Sequence, residues 1–258
     1  MVRMRRVVLR AGAGVLATGV IGVGVLGVEA ELARRRDFAG ADSAPPVSTV
    51  IGAGSGPPLR LAILGDSTAA GLGVTATPDT VGAQVAAVLA RELRRPVRLD
   101  GLGVSGARSN DLAPQVSRAL VQPPDIALVL IGPNDVTHLT RRSQVRDDVA
   151  AAVRRLRAAG VEVVVGSCAD MGSATAFRQP LRLVSAWRGR AIGTTVRDAA
   201  AGEGARTVDV GGLTGPAFRS DPDRYLSFDE FHPSAEGYRL WAEALLPEVR
   251  RAAGVPAP

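Results

Sequence analysis

The sequence contains few cysteine, histidine and aromatic residues and no lysine. Its 258 residues include one Cys, two His and 3% aromatics, and all 31 basic residues are Arg, which we interpret as a compositional bias. A single Cys excludes both an intrachain disulfide framework and a thiolate metal site. So few aromatic rings argue against a base-stacking platform for nucleic acid. Any imidazole chemistry must use His138 or His232.

The positive charge is concentrated at the N-terminus. Residues 1–36 contain seven Arg and two Glu, a net charge of +5, whereas residues 37–258 contain 24 Arg and 23 acidic residues, a net charge of +1. A nucleic-acid-binding domain needs a clustered basic face of its own. The nearly neutral body of the chain therefore argues against a nucleic-acid partner.

The N-terminal region has the pattern of an export signal. Four Arg are followed by residues 11–28, which are uncharged and long enough to span a bilayer as a helix. We predict that residues 1–36 are a signal or membrane anchor that places the domain on the outer face, tethered or secreted after cleavage. Residues 37–58, with four Pro among small residues, are predicted to be a flexible linker. The folded domain is predicted over residues 59–258.

From Leu59 onward, short apolar runs alternate with segments of helical periodicity. This pattern predicts an α/β fold with a five-stranded parallel sheet and helices on both faces. The predicted strands are 59–64, 97–102, 125–131, 161–165 and 206–210. The predicted helices run from Val81 to before Pro96, over 110–120, through Val145 to Leu156, over about 183–201, and through Tyr238 to Val249. Trp187 and Trp241 lie on helical faces and are predicted to be core residues.

Polar residues follow the first three predicted strands. Ser67 follows the first, Gly103–Gly106 the second and Gly132–Asp135 the third. Because the carboxyl ends of parallel strands meet at one rim of the sheet, we expect these loops to lie close together. His232 precedes the last helix, three residues after Asp229, and can reach the same rim.

These residue types fit nucleophilic catalysis. A serine hydroxyl such as that of Ser67 needs an adjacent base, which His232 can supply, and Asp229 can orient the imidazole. The backbone N–H groups of Ser67 and Gly106 and the side-chain amide of Asn134 can then stabilise an oxyanion. The sequence therefore predicts a catalytic triad with a three-donor oxyanion hole.

Four stretches in order resemble the sequence blocks of the SGNH (GDSL-type) hydrolase family. They are Gly65-Asp66-Ser67, Gly106 within Ser-Gly-Ala-Arg, Gly132-Pro133-Asn134-Asp135 and Asp229-Glu230-Phe231-His232, with Gly103 a less favoured match for the second block. The resemblance covers roughly residues 59–250 and looks most like exported bacterial members. It implies a three-layer α/β/α, flavodoxin-like fold, hydrolysis of esters and no metal or other cofactor. Asp66 and Asp135 are expected to support the site by hydrogen bonds.

The favoured function is a serine esterase that cleaves a small-molecule, lipid or glycan ester through an acyl-enzyme. A deacetylase or acyltransferase that acts on cell-envelope sugars with the same triad is the alternative. A non-catalytic binding module is disfavoured because Ser67, Asn134, Asp229 and His232 are all present. A flavin or nucleotide site is disfavoured because no phosphate-binding glycine motif follows the first strand. His138 is expected at the surface, and Cys168 is expected to be a small buried apolar residue.

Overall fold

A computed structural model describes residues 27–29, 31 and 38–255. The predicted signal or anchor, residues 1–36, lies almost entirely outside these residues. Within the described parts of the chain, no helix combines the length and the apolar character needed to cross a membrane.

The described chain forms a six-stranded mixed sheet. The strands are β1 Thr49–Ile51, β2 Leu59–Gly65, β3 Val97–Gly101, β4 Ile126–Leu130, β5 Glu162–Gly166 and β6 Arg206–Val208. Their order in the sheet is β1-β3-β2-β4-β5-β6. Strand β1 pairs antiparallel with β3, and all other neighbouring strands are parallel. The central strand β4 has the sequence Ile-Ala-Leu-Val-Leu and is buried throughout, as expected for a parallel strand covered on both faces.

The sheet differs from the predicted one at both ends. The five predicted parallel strands are present, but the last stops at Val208, because the Asp209 side chain accepts a hydrogen bond from Gly212 N–H and caps the next helix. A sixth strand, β1, lies inside the segment predicted to be a flexible linker. Its three residues Thr-Val-Ile favour an extended backbone, and the adjacent Val47 is buried in the core. The folded unit therefore begins before residue 59, and we call residues 38–51 the N-terminal strap.

Helices cover both faces of the sheet and complete the three-layer α/β/α architecture. They are α1 Val81–Leu93, α2 Leu112–Ala119, α3 Pro133–Thr137, α4 Arg142–Ala158, α5 Leu181–Gly202, α6 Val210–Ser220, α7 Pro222–Tyr225 and α8 Ala235–Ala252. Short 3-10 turns occupy Ala41–Ser43, Thr77–Asp79 and Ser109–Asp111.

Two hydrophobic clusters show how the layers pack. Leu61 and Ile63 of β2 belong to the cluster that contains the apolar faces of α1 and α8. Ala62 and Leu64 belong to the cluster that contains α2, α4 and α5. Successive side chains of a strand point to opposite faces, so this strand is buried between the two helical layers.

Two features of the helices depart from the sequence prediction. Helix α6 was not predicted, because three Gly and one Pro hide its periodicity. The prediction that Trp187 belongs to the core is wrong, because Trp187 is 66% exposed. The same prediction for Trp241 is confirmed, because Trp241 is buried. Helix α5 buries the face that contains Gly189. Each residue of an α-helix is rotated by about 100° around the helix axis, so Trp187, two residues before Gly189, lies on the opposite, exposed face.

Candidate active site

The loops that follow β2, β3 and β4 meet at the carboxyl rim of the sheet. The Val104 N–H donates to Gly65 O at 3.0 Å, which ties the loop after β3 to the end of β2. The Asp66 N–H donates to Leu130 O at 3.1 Å, which ties the end of β2 to β4. Ser67 therefore lies in a turn whose start is fixed to both neighbouring strands.

His232 reaches the same rim from a closed turn before α8. Leu226 and Pro233 form an isolated antiparallel bridge, and the Ser227 N–H donates to His232 O at 2.8 Å. The Ser234 hydroxyl accepts from Gly237 N–H and caps α8 directly after this turn. The sequence placed His232 after the last strand, and the structure shows that α6 and α7 lie between them.

The structure brings Ser67, His232 and Asp229 into one hydrogen-bonded chain. His232 Nε2 lies 3.0 Å from Ser67 Oγ, and His232 Nδ1 lies 2.6 Å from Asp229 Oδ2. All three residues are buried. With Nδ1 donating to the carboxylate, Nε2 of a neutral imidazole is free to accept the serine proton.

Asp229 is held by four N–H donors. Besides the His232 ring, the backbone N–H groups of Phe231 and His232 donate to Oδ1, and that of Ala39 donates to Oδ2 at 3.0 Å. Burial raises the pKa of Asp229, but the hydrogen bonds from His232 and Ala39 outweigh it and lower the pKa to about 2. The carboxylate is therefore ionised at neutral pH.

The contact with Ala39 comes from the N-terminal strap, 190 residues away in sequence. Phe38 packs edge-on against Phe231, with ring centroids 5.2 Å apart. Sequence analysis missed this contact, because a backbone donor carries no residue signature. The strap thus reaches the turn that holds the triad.

Each of the three residues predicted to form the oxyanion hole keeps one N–H hydrogen without a partner in the described chain. Within the described chain, the N–H groups of Ser67 and Gly106 make no hydrogen bond. Asn134 Nδ2 donates one hydrogen to Ala107 O at 3.0 Å, which leaves its second hydrogen available and holds the amide beside the loop after β3. Gly106 has a φ of +80°, a conformation that favours glycine.

Gly103, the less favoured match for the second block, lies in the same loop as Gly106 but in a tightly packed position. A Cβ added there would lie 2.6 Å from Ala70 N, so only glycine lets this loop approach the turn that contains Ser67. At Gly106 an added Cβ would meet no atom within 4 Å. Gly103 therefore serves packing, and Gly106 is the glycine open to a ligand.

Asp66 closes the turn around Ser67. Its Oδ1 accepts from the Thr68 N–H at 2.9 Å and the Thr68 hydroxyl at 2.7 Å, while the buried Oδ2 has no partner in the described chain. Burial raises the pKa of Asp66 to about 6, against the opposing effect of the Thr68 hydrogen bonds. Asp66 makes no hydrogen bond to Ser67 or His232.

Asp135 joins the loops that follow β3 and β4. Its two carboxylate oxygens accept from the N–H and the hydroxyl of Ser109, each at 3.0 Å. Burial raises the pKa of Asp135, and the neighbouring Asp148 carboxylate adds to this rise. Asp135 therefore fixes the position of its neighbour Asn134, and Ser109 is a partner that the sequence did not reveal.

The remaining candidates lie outside this chain of contacts. His138 is exposed, and its Nδ1 lies 2.9 Å from Asn134 O. Cys168 is buried, and burial raises the pKa of its thiol well above the ordinary value, with nearby carboxylates adding to the effect. No group of His, Cys, Asp or Glu among the described residues could hold a metal ion.

A small cavity of about 30 Å³ opens beside Ser67 and His232. Most of its wall is apolar, with side chains from Met171, Phe218 and Trp241. A substrate carbonyl carbon at Ser67 would direct one substituent into this space.

Comparisons with known proteins identify the family. Residues 63–240, well over half of the chain, match the sequence profile of the GDSL-like Lipase/Acylhydrolase family. The GDSL-like esterase Rv1075c of Mycobacterium tuberculosis is 36% identical over 223 residues, which cover 82% of this chain and 71% of that protein.

Solved structures share the fold. LAE5, described as an α/β hydrolase from the metagenome of Lake Arreo, is 23% identical and superposes with a TM-score of 0.58 over 80% of this chain and 98% of that one. A member of the lipolytic G-D-S-L family from Veillonella parvula is 19% identical, with a TM-score of 0.58 over 74% of this chain and 98% of its own. The chain therefore belongs to the GDSL-like lipase/acylhydrolase family and is an ester-hydrolysing enzyme.

Proposed function

We propose that the protein is a serine esterase that works through an acyl-enzyme on Ser67. The observation that carries this proposal is the hydrogen-bonded chain from Ser67 Oγ to His232 Nε2 at 3.0 Å and from His232 Nδ1 to Asp229 at 2.6 Å. Ser67 Oγ attacks the ester carbonyl carbon while His232 Nε2 takes the hydroxyl proton. The imidazolium then returns this proton to the departing alkoxide, which leaves as the alcohol.

The second half of the reaction uses the same groups. Water attacks the acyl carbon while His232 accepts a proton from it, and the proton then passes to Ser67 Oγ as the carboxylic acid departs. Asp229, with its pKa lowered to about 2, stays ionised and stabilises the imidazolium in both halves.

The oxyanion of each tetrahedral intermediate is stabilised by three donors in this proposal. They are the N–H groups of Ser67 and Gly106 and the second Nδ2 hydrogen of Asn134. The support is that each of these hydrogens is unengaged in the described chain. Donors that are already positioned stabilise developing charge without reorganisation.

The cavity beside Ser67 favours a short acyl group. A volume of about 30 Å³ holds roughly two water molecules, at 10–15 Å³ each, and therefore suits an acetyl group better than a fatty acyl chain. This observation also favours the second candidate function, deacetylation of acetylated cell-envelope sugars by the same residues.

A panel of p-nitrophenyl esters from acetyl to palmitoyl, assayed beside acetylated sugars, tests the proposal. We expect kcat/KM to be highest for the acetyl ester and to fall as the chain lengthens. The Ser67→Ala variant should lose nearly all activity at an unchanged Tm, and the matched surface variant His138→Ala should keep it. An active Ser67→Ala variant would contradict the acyl-enzyme mechanism.

We also propose that residues 1–36 direct export, tethering the domain to the outer face of the membrane or releasing it after cleavage. The support is the Arg-flanked apolar run of residues 11–28. Fractionation of cells that express the full chain tests this, and intact protein in the soluble cytoplasm would contradict it.

A further inference from the structure

A second and larger cavity lies next to the pocket of Ser67. Its volume is about 450 Å³, and it is formed mainly by the loop after β5, helix α5 and helix α6. Ala169 and Asp170 line both this cavity and the small pocket at Ser67. The two cavities are therefore adjacent and share part of a wall.

Small residues line the helical walls of this cavity. Helix α5 contributes Ala186, Gly189 and Gly193, and α6 contributes Gly211 and Gly212 at its first turn. A Cβ added at Gly189 would lie 2.9 Å from Met171 Cγ, and one added at Gly211 would lie 2.5 Å from Cys168 O. These two glycines therefore let α5 and α6 pack closely on the loop after β5, which forms another part of the wall.

The wall of the cavity carries more positive than negative charge. Four Arg and two Asp line it. Arg197 pairs with Asp209 at 2.5 Å, and Arg219 pairs with Asp170. The surplus is therefore two guanidinium groups, those of Arg182 and Arg190.

The guanidinium groups of Arg182 and Arg190 both have N–H donors without a partner in the described chain. Arg182 uses its Nε to bind Gly172 O at 2.7 Å, and its terminal NH₂ groups have no partner in the described chain. Arg190 is exposed, and its side chain makes no hydrogen bond or ion pair within the described residues. A guanidinium presents a planar fork of donors that matches the oxygens of a carboxylate or phosphate.

We propose that this cavity binds an anionic group, a phosphate or a carboxylate, on the alcohol part of the ester substrate. The proposal rests on the esterase function, in which the small pocket at Ser67 takes the acyl group and leaves the larger cavity for the alcohol. Arg190 and Arg182 supply the charge that recognises the anion. Arg197 and Arg219 are already neutralised by their Asp partners and shape the wall.

Three acetyl esters with related alcohols test this assignment. They are 1-acetylglycerol, which is neutral, 3-acetylglycerate, which carries a carboxylate, and 1-acetylglycerol 3-phosphate. We expect kcat/KM of the wild type to be about tenfold higher for at least one anionic ester than for the neutral one, as a charged hydrogen bond allows. A preference for the phosphate or for the carboxylate ester identifies which anion the cavity accommodates.

The Arg190→Ala variant supplies the critical comparison. It should lose about tenfold in kcat/KM on the preferred anionic ester, through KM, and change little on 1-acetylglycerol. Arg118→Ala, an exposed arginine of α2 that does not line the cavity, is the matched control and should leave all three values unchanged. Equal kcat/KM for the three esters, or an equal loss in the two variants, would overturn the proposal.

A binding measurement separates this proposal from the esterase function itself. Calorimetric titration of the wild type with glycerol 3-phosphate and with glycerate should show binding that Arg190→Ala weakens about tenfold and Arg118→Ala does not. If no ester, including p-nitrophenyl acetate, is hydrolysed while this binding is present, the esterase mechanism fails and the anion site remains. If the esters are hydrolysed and no Arg190-dependent binding is found, the anion site fails alone.

Discussion

Two buried carboxylates on either side of the Ser67–His232 contact differ in their pKa. Asp66 is 1% exposed and Asp229 is 6% exposed, so both have lost nearly all contact with water. Asp229 receives four N–H donors and has a pKa lowered to about 2, whereas Asp66 receives hydrogen bonds from Thr68 alone and has a pKa raised to about 6. The number of hydrogen-bond donors, rather than the extent of burial, therefore accounts for the difference between the two pKa values.

The same difference makes the two carboxylates act oppositely on stability as pH changes. The lowered pKa of Asp229 contributes stability that is present above the unfolded value of about 3.9 and is lost as pH falls toward about 2. The raised pKa of Asp66 contributes stability that is present below about 3.9 and is lost as pH rises through about 6. The turn around Ser67 is thus favoured by acid, and the turn around His232 by neutral pH.

Among changes to the two carboxylates and the groups around them, Asp229→Asn is expected to have the largest effect. An amide at this position cannot balance the imidazolium charge and favours the wrong tautomer of His232, so kcat should fall about 10³–10⁴-fold. Steady-state kinetics and a melting curve check this at pH 7. A variant with near-normal kcat would show that the two carboxylates do not differ in function.

Asn134→Ala tests whether the side chain that Asp135 holds in position stabilises the oxyanion. Loss of one oxyanion donor should lower kcat about 10²–10³-fold, with a smaller change in KM. The measurement is kcat on p-nitrophenyl acetate together with Tm. An unchanged kcat would remove Asn134 from the oxyanion hole.

Ala39→Pro removes the backbone donor that the N-terminal strap gives to Asp229. A hydrogen bond to a charged group contributes about 1.5–3 kcal/mol, so we expect kcat to fall about tenfold. Ala39→Ser keeps the N–H and is the matched control. Equal activity of the two variants would show that three donors are enough for Asp229.

Asp66→Asn should have the smallest effect on rate, well below the 10²-fold loss expected for an oxyanion donor. Its effect should be on stability. The wild type loses about 2 kcal/mol of stability between pH 4 and 6 through this carboxyl, and the variant with a neutral amide does not.

Melting curves from pH 4 to 8 check this last prediction. The Tm of Asp66→Asn should rise relative to the Tm of the wild type by roughly 5–10 °C as pH increases over this range. A difference that stays constant with pH would contradict the raised pKa of Asp66.

The sequence predicted the parts of the molecule that carry local signals. Five apolar runs predicted the five parallel strands, and the residues of four short motifs lie at one rim of the sheet as expected. The structure brings Ser67, His232 and Asp229 into contact, and their catalytic roles remain predictions. Local signals are strong in these places because buried parallel strands must be apolar throughout.

The features that sequence analysis missed depend on distant or backbone contacts. The Ala39 donor comes from 190 residues away, and strand β1 is three residues long within a segment rich in Pro and Gly. Helix α6 is hidden by its glycines, and the outward orientation of Trp187 is set by which face of α5 packs on the loop after β5. None of these features leaves a periodic signal, and the three residues of β1 are too short a run to predict a strand.

The N-terminal strap sets a limit on where the chain can be cut. A shortened gene that begins at Leu59 would lose β1, the buried Val47 and the fourth hydrogen bond to Asp229. In the exported form that we propose, cleavage before Phe38 would keep the whole strap. A cut between residues 40 and 58 would remove the Ala39 donor to Asp229, and we expect it to lower the activity of the released domain.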